Sequence, residues 1–432
     1  MSILLVYTQK VTPRITYIFK HICTRILGLE VNFTSQIEDF IAFDGAKLSY
    51  GKQPMGNELF IQSHGLLTQQ GIDSEEITVK EWEATKCFFA TGEKSDLPFD
   101  IFSAGFYLLS RFEEYLPHVK DGMGRYPANE SLAFKNGFLS QPVVDIWAYK
   151  FKAVLLQQFP SLIFSFKSMT VHNLVKARQP YAYNQRGAFR SLVGYGKDLL
   201  KFKMSRFLER TRVILGLRQD PFDTFQWLIS EARKSTNKLT VFFLLGEATV
   251  FEESINTYRQ KFKMLLKYVS DYKEVGLIFS FEALQDYEML RSEKKRIESI
   301  TNRSLQSSMN AQYLVNLPEL YRNLVELEVQ KDFTMGYENE PGFRAGTCTP
   351  FLFYDLDYEI KTPLIVHPIT ASTRSFKNKY ASDITKKIDQ LWAAVAEVHG
   401  TFSIVFTNRD FTPTIGNTIW RELFSKKLNP DA

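Results

Sequence analysis

Cysteine is scarce in this chain: Cys23, Cys87 and Cys348 are the only thiols in 432 residues. Three thiols so far apart suggest neither a disulfide framework nor a Cys-x-x-Cys metal site, and a reducing, cytoplasmic setting is the expectation. Long apolar runs are missing too. No stretch approaches the roughly 20 continuous apolar residues of a membrane helix, so no membrane span is expected. The opening MSILLVYTQKVTPR has neither a basic segment before its short apolar run nor a small-residue cleavage site after it, and reads as a first strand rather than a leader. Charge of one sign is also in short supply. Lys and Arg number 53 against 48 Asp and Glu, a formal +5 that gives no ground for a nucleic-acid partner. Several catalytic signatures are absent: His-Glu-x-x-His, the Gly-x-Ser-x-Gly elbow, the Walker loop and a full Gly-x-Gly-x-x-Gly, of which Gly194-Tyr195-Gly196 is a fragment.

What is present is the composition of a globular protein, 44% hydrophobic and 23% charged. The length exceeds what one core usually supports, so two domains are expected. The 37 Phe and 20 Tyr point to aromatic cores, with a sugar-stacking surface as the second reading. Ile3–Tyr7 reads as a strand and Arg14–Leu27 as a helix. Phe40–Phe43 and Ala46–Tyr50, flanking Asp44-Gly45, read as a hairpin. Asp100–Tyr115 and Pro142–Phe159 carry helical period, and Ile163–Val175 begins an alternating run. Beyond it, the apolar runs Leu239–Leu245, Val275–Phe281, Thr334–Tyr337, Leu364–Val366 and Phe402–Phe406 alternate with helical Phe251–Tyr272, Tyr287–Thr301, Leu317–Leu327 and Ser382–Val398. That alternation predicts a largely parallel sheet, open or closed into a barrel. The fold class is therefore α/β: an N-terminal α/β domain over 1–162, then a second unit over 163–432. Arg186–Arg218 is strongly basic, opposed only by Asp198 and Glu209. A solvated helical connection is the expected role, with an anionic-ligand face as the alternative.

Several segments carry a resemblance. DIFSAGFYLLSRFEEYLP (100–117) and GRYPANESLAFKNGFLSQPVVD (124–145) stand in the first half; PYAY (180–183), DPFDTFQW (220–227), EVGL (274–277) and DFTMGYENEPGFRAGTCTPFLFYDL (332–356) stand in the second. With them the chain resembles bacterial polysaccharide deacetylase-like proteins that carry an uncharacterised α/β domain before a deacetylase barrel. The resemblance implies a distorted (β/α) barrel in which a divalent metal polarises an acetamide while an Asp activates water.

The same resemblance shows what has been replaced. Where relatives carry Asp-x-Asp, this chain has Lys176 and Arg178, cations that repel a dication. The Glu-Val-Gly-Leu-His-Pro-Ser pattern becomes EVGLIFS, so Ile278 stands in the place of the metal-binding imidazole, with Ser280 retained. Gln312, Thr373 and Thr407 occupy three further degenerate positions, and Asn408 survives beside the last. Arg344, in GFRAG, resembles the family's active-site arginine, with Asp332 and Tyr337 nearby in sequence. The flanking Gly342 and Gly346 offer a tight turn as its alternative role. The resemblance thus implies a non-catalytic protein of surface-polysaccharide metabolism with no cofactor. It would bind a glycan or nucleotide-sugar ligand at Lys176, Arg178, Ser280, Asp332, Tyr337, Arg344 and Asn408, or dock on a polysaccharide-processing enzyme.

Two rivals stand beside it. An active metal-dependent carbohydrate deacetylase would recruit zinc or another divalent metal through Asp355, Asp357, His172 or His367. A glycosyltransferase-associated scaffold would draw on the Asp355-x-Asp357 pair, whose period-two spacing puts both carboxylates on one strand face. Each histidine is expected to be a satisfied core residue, and Cys348 an inert thiol.

Overall fold

The computed structural model describes residues 3–185, 188–246 and 257–427. Arg186 and residues 251–256 of the expected 251–272 helix lie outside them. The protein is mixed α/β, and the described residues form a four-stranded sheet, a nine-stranded sheet and a small two-stranded one.

The four-stranded sheet uses β1 (Ile3–Tyr7), β2 (Glu30–Thr34), β3 (Ala46–Gly51) and β4 (Leu59–Gln62) in the order β2-β1-β3-β4, every pairing parallel. The first helix, Pro13–Phe19, starts where local chemistry dictates: the Thr12 side chain accepts from the Ile15 N–H, and Pro13 needs no donor in the first turn. It runs on as a π-helix over Lys20–Ile26. Asp100 caps the Ile101–Leu109 helix through the N–H groups of Phe102 and Ser103, and its other oxygen takes the Tyr50 hydroxyl at 2.7 Å. One buried carboxylate therefore fixes a helix start to the sheet.

The expected hairpin at Asp44-Gly45 is not formed. Ile37–Ala42 is helical, and β3 instead pairs in parallel with β1, so pairing to a distant strand wins over the turn dipeptide. The expected Asp100–Tyr115 helix is broken, because Arg111 takes a left-handed conformation (φ 55) before a short Phe112–Tyr115 turn. The Val143–Gln158 helix matches expectation. Among the described residues, strand β5 (Lys80–Trp82) pairs only with β6 (Thr85–Cys87).

The large sheet comprises β7 (Thr170–Ala177), β8 (Lys238–Leu244), β9 (Glu274–Phe279), β10 (Ser307–Asn310), β11 (Lys331–Asp332), β12 (Phe351–Asp355), β13 (Ile360–Val366), β14 (Ala371–Ser372) and β15 (Thr401–Thr407). Their order is β12-β13-β11-β10-β9-β8-β7-β15-β14, parallel throughout except at β12–β13. β7 begins at Thr170, so residues 163–169 of the expected alternating run are not strand. The run Thr334–Tyr337 is not strand either, since pairing stops at Asp332. Helices alternate as expected. Tyr287–Thr301 is capped by Asp286 and closed by left-handed Asn302.

The chain from β13 to β14 borders both ends of this ladder. Its start pairs with β11, the His367 N–H reaches the Asp332 carbonyl at 2.8 Å, and β14 pairs with β15. Side chains alternate accordingly. Leu174, Phe242, Leu244, Ile278, Met309, Phe333 and Val405 share one apolar cluster, whereas Val175, Ala177, Val241 and Phe243 join the main core on the opposite face.

Candidate functional site

Lys176 lies near the C-terminal end of β7, in register with Thr407 of β15. Beyond these strand ends opens a cavity of about 1070 Å³, lined among others by Lys176, Arg178, Tyr313, Thr373, Thr407 and Asn408. The fold thus brings together five residues singled out from the sequence. Lys176 is buried, its ammonium 4.4 Å above the Tyr313 ring and 3.4 Å from the Asn310 carbonyl oxygen. The Asn408 amide is committed to the wall, donating to the carbonyls of Gln179 and Phe222 at 2.9 Å each.

Asp410, which sequence reading missed, organises the opposite side. Its carboxylate accepts from the Thr373 hydroxyl and from the Thr407 N–H, both at 2.7 Å. Burial pushes its pKa up, while those hydrogen bonds act against the shift. The signal was local: Thr407-Asn408-Arg409-Asp410 forms a reciprocal capping box, a Thr-x-x-Asp variant of the usual pattern. Arg374, also on the cavity wall, pairs with Glu338, which in turn pairs with Arg125.

The other nominated residues do not reach this cavity. Ile278 is buried in the apolar cluster of the large sheet. The Ser280 hydroxyl accepts from the Ala283 N–H and its own N–H meets Glu293 at 3.0 Å, so it closes a strand end. Gln312 adopts φ 53 and offers its carbonyl to Arg125 at 2.7 Å. Asp332 is fully buried and accepts from the Tyr321 hydroxyl at 2.8 Å and from Thr334 through N–H and hydroxyl at 3.0 and 2.7 Å. Burial pushes its pKa up to about 6.

Arg344 points instead toward the N-terminal half. Its Nε and Nη2 donate to the two Glu114 oxygens at 2.9 and 2.7 Å, and Nη1 reaches the Gly336 carbonyl at 3.2 Å. Tyr337 lies under the guanidinium at 5.2 Å, and both residues edge a separate cavity of about 180 Å³. The flanking glycines are required by space: a Cβ at Gly342 would come 2.5 Å from the Leu139 carbonyl oxygen, and one at Gly346 (φ 66) 2.7 Å from Leu108.

The substitute metal ligands are engaged elsewhere. Asp355 and Asp357 both bind Arg322, at 2.6 and 2.9 Å, and only Asp355 belongs to a strand. His172 and His367 do converge, ring centres 6.2 Å apart, on the other side of the apolar cluster from Lys176. His172 lies 2.9 Å from the Thr240 hydroxyl, which donates to Glu274. Among the described residues, no three His, Cys, Asp or Glu side chains gather in a way that could hold a metal ion. Nor is any described helix long and apolar enough to cross a membrane. Cys348 is fully enclosed, and burial raises its thiol pKa well above the usual value.

Comparisons with known proteins add the following. Residues 4–160 match the model of a family of unknown function, DUF7033. No curated protein matches the chain. A structure described as a polysaccharide deacetylase from Mycobacterium smegmatis is similar at 9% identity and TM-score 0.38, covering 60% of this chain and 85% of that one. A CE4 family pseudoenzyme from Bacillus anthracis aligns at 10% identity and TM-score 0.30, covering 59% of this chain and 60% of that one. A GH138 enzyme targeting pectin rhamnogalacturonan II aligns over 100% of this chain and 64% of its own length, at 9% identity and TM-score 0.28.

Proposed function

We propose that this is a non-catalytic, deacetylase-like protein of surface-polysaccharide metabolism that holds an anionic sugar group, a uronate or a nucleotide-sugar phosphate, in the cavity beside Lys176. The reading takes 1–162 as an α/β domain and 163–432 as a distorted (β/α) barrel closed through the segment joining β13 to β14. It places the protein in the cytoplasm, without a metal cofactor.

One observation carries it. Lys176, Arg178, Thr373 and Thr407, four positions where the resemblance calls for catalytic or metal-binding groups, line one cavity together. An ammonium and a guanidinium fixed at a cavity wall suit a carboxylate or phosphate through charge-assisted hydrogen bonds, and they oppose a divalent cation. The threonine hydroxyls and the aromatic wall suit a sugar ring. Calorimetry with a nucleoside-diphosphate uronate and with a neutral disaccharide tests it. The anionic ligand should bind and the neutral one should not. A stoichiometric divalent ion in purified protein, lost by chelation together with an esterase activity, would overturn the proposal.

A further inference from the structure

The basic segment after residue 186 folds as two helices, Ala188–Leu200 and Met204–Ile214, packed on each other. What holds them together is polar and aromatic. The Arg210 guanidinium grips the Asp198 carboxylate at 2.8 and 3.0 Å, the Tyr195 and Thr211 hydroxyls meet at 3.2 Å, and the Tyr195 and Phe207 rings lie 4.9 Å apart. The ion pair is buried.

The apolar side chains face the other way. On the first helix, Leu192, Val193, Leu199 and Leu200 are exposed, and at about 100° per residue they fall within roughly a third of the circumference. Phe202 at the turn is 90% exposed and Leu200 82%. Met204, Leu208, Leu215 and Leu217 continue the surface along and beyond the second helix. An amphipathic hairpin in a globular fold buries its apolar stripe and shows its charges; this one leaves its apolar stripe in solvent as well. Exposed apolar surface on this scale marks a face that meets something.

Charge says what it meets. Lys197, Lys201, Lys203, Arg206, Arg212 and Arg218 are all exposed on the same hairpin and its exit. Its two carboxylates are neutralised at home, Asp198 by Arg210 and Glu209 by Arg218 at 3.2 Å. A leucine and phenylalanine surface interleaved with cations and showing no unpaired carboxylate among the described residues is complementary to an anionic lipid surface, into which such side chains insert while lysines and arginines stay at the headgroups.

We propose that this hairpin is a peripheral membrane-docking element that seats the protein on anionic phospholipid. Co-sedimentation of the full chain at physiological salt tests it, with vesicles of phosphatidylcholine alone and of phosphatidylcholine mixed with phosphatidylglycerol. The protein should pellet with the mixed vesicles and stay in solution with the neutral ones. The double change Lys201→Glu with Lys203→Glu should weaken partitioning by about tenfold or more. Leu200→Ser with Phe202→Ser should do likewise without moving the thermal midpoint, since both side chains are already in solvent. Equal pelleting with both lipids, or none with either, would overturn the proposal. So would a dimer in sedimentation velocity that the Leu200→Ser, Phe202→Ser protein loses, which would assign the face to a second copy of the chain.

Discussion

Arg344 and Glu114, 230 positions apart, form a two-point ion pair that is almost fully buried, with donor distances of 2.9 and 2.7 Å. Arg111 completes the knot. Its Nε donates to the same Glu114 oxygen at 2.8 Å, and its Nη1 donates to the Arg344 carbonyl. The arginine that the family resemblance assigns to catalysis is here a fastener between the 100–117 helical segment and the 332–356 loop. Removing one partner strands a buried charge. Arg344→Ala is expected to lose about 3–5 kcal/mol of unfolding free energy in urea titration, and Arg344→Lys most of that, because an ammonium cannot replace the planar fork.

Sequence pattern reached the helices best where both ends carry their own chemistry, as in Tyr287–Thr301 between Asp286 and Asn302. It failed where distant pairing decides. Asp44-Gly45 has hairpin chemistry, yet β3 is claimed by β1, and two-residue β11 is too short to show any period. The cavity follows the same division. Lys176, Thr373 and Thr407 are far apart in the chain and meet because β15 pairs in register with β7 on one side and with β14, which ends just before Thr373, on the other, whereas Arg344 and Asp332, within the retained 332–356 block, are buried elsewhere. Asp410 was visible only as a helix cap, a pattern that occurs at many sites without function.

Acid should weaken the fold through its buried histidines. Burial pushes the pKa of His172 down to about 4, and that of His21 and His367 to about 3. The unfolded chain takes up these protons near the ordinary value of about 6.5, so the stability that depends on neutral imidazole is complete above that pH and falls as pH drops toward 4. Asp332 and Asp223, whose pKa values burial raises to about 6, act oppositely and stabilise as pH falls from 6 to 4. Asp145 and Asp410, which burial also raises, act in the same direction as these two carboxylates. The histidines take up their protons first, so urea midpoints should drop between pH 7 and pH 6; the drop should shrink in His172→Gln, and the midpoint at pH 5 should fall further in Asp332→Asn than in the parent protein.

The cavity yields a second contrast. Lys176→Met keeps most of the side-chain volume and removes the charge beside the Tyr313 ring. It should weaken binding of an anionic sugar ligand by about tenfold or more, the scale of a lost charge-assisted contact, while leaving the thermal midpoint close to that of the parent protein. Asp410→Ala removes the group that spans Thr373 and Thr407 and should lower both affinity and stability. Calorimetric titration alongside thermal melts separates the two effects; a Lys176→Met protein with unchanged affinity would place the ligand elsewhere.

Gly276, in the centre of β9, reports on how closely the strand ladder is packed. A Cβ there would overlap the Phe242 ring and stand 2.8 Å from the Ser307 carbonyl oxygen. The ring belongs to the apolar cluster inside the large sheet, and the carbonyl to neighbouring β10, so one methyl group pushes on a side chain and on a strand at once. A flexible side chain could yield, but a backbone carbonyl in a ladder cannot move without straining its hydrogen bonds. Gly276→Ala is therefore expected to cost about 1–3 kcal/mol despite the gain in strand propensity that alanine brings over glycine. Guanidinium unfolding of Gly276→Ala beside Gly51→Ala, a β3 glycine whose added Cβ meets nothing within 4 Å, isolates the packing contribution. Equal midpoints for the two variants would mean that Phe242 and β10 yield to the added methyl, and that the interior cluster is looser than its geometry implies.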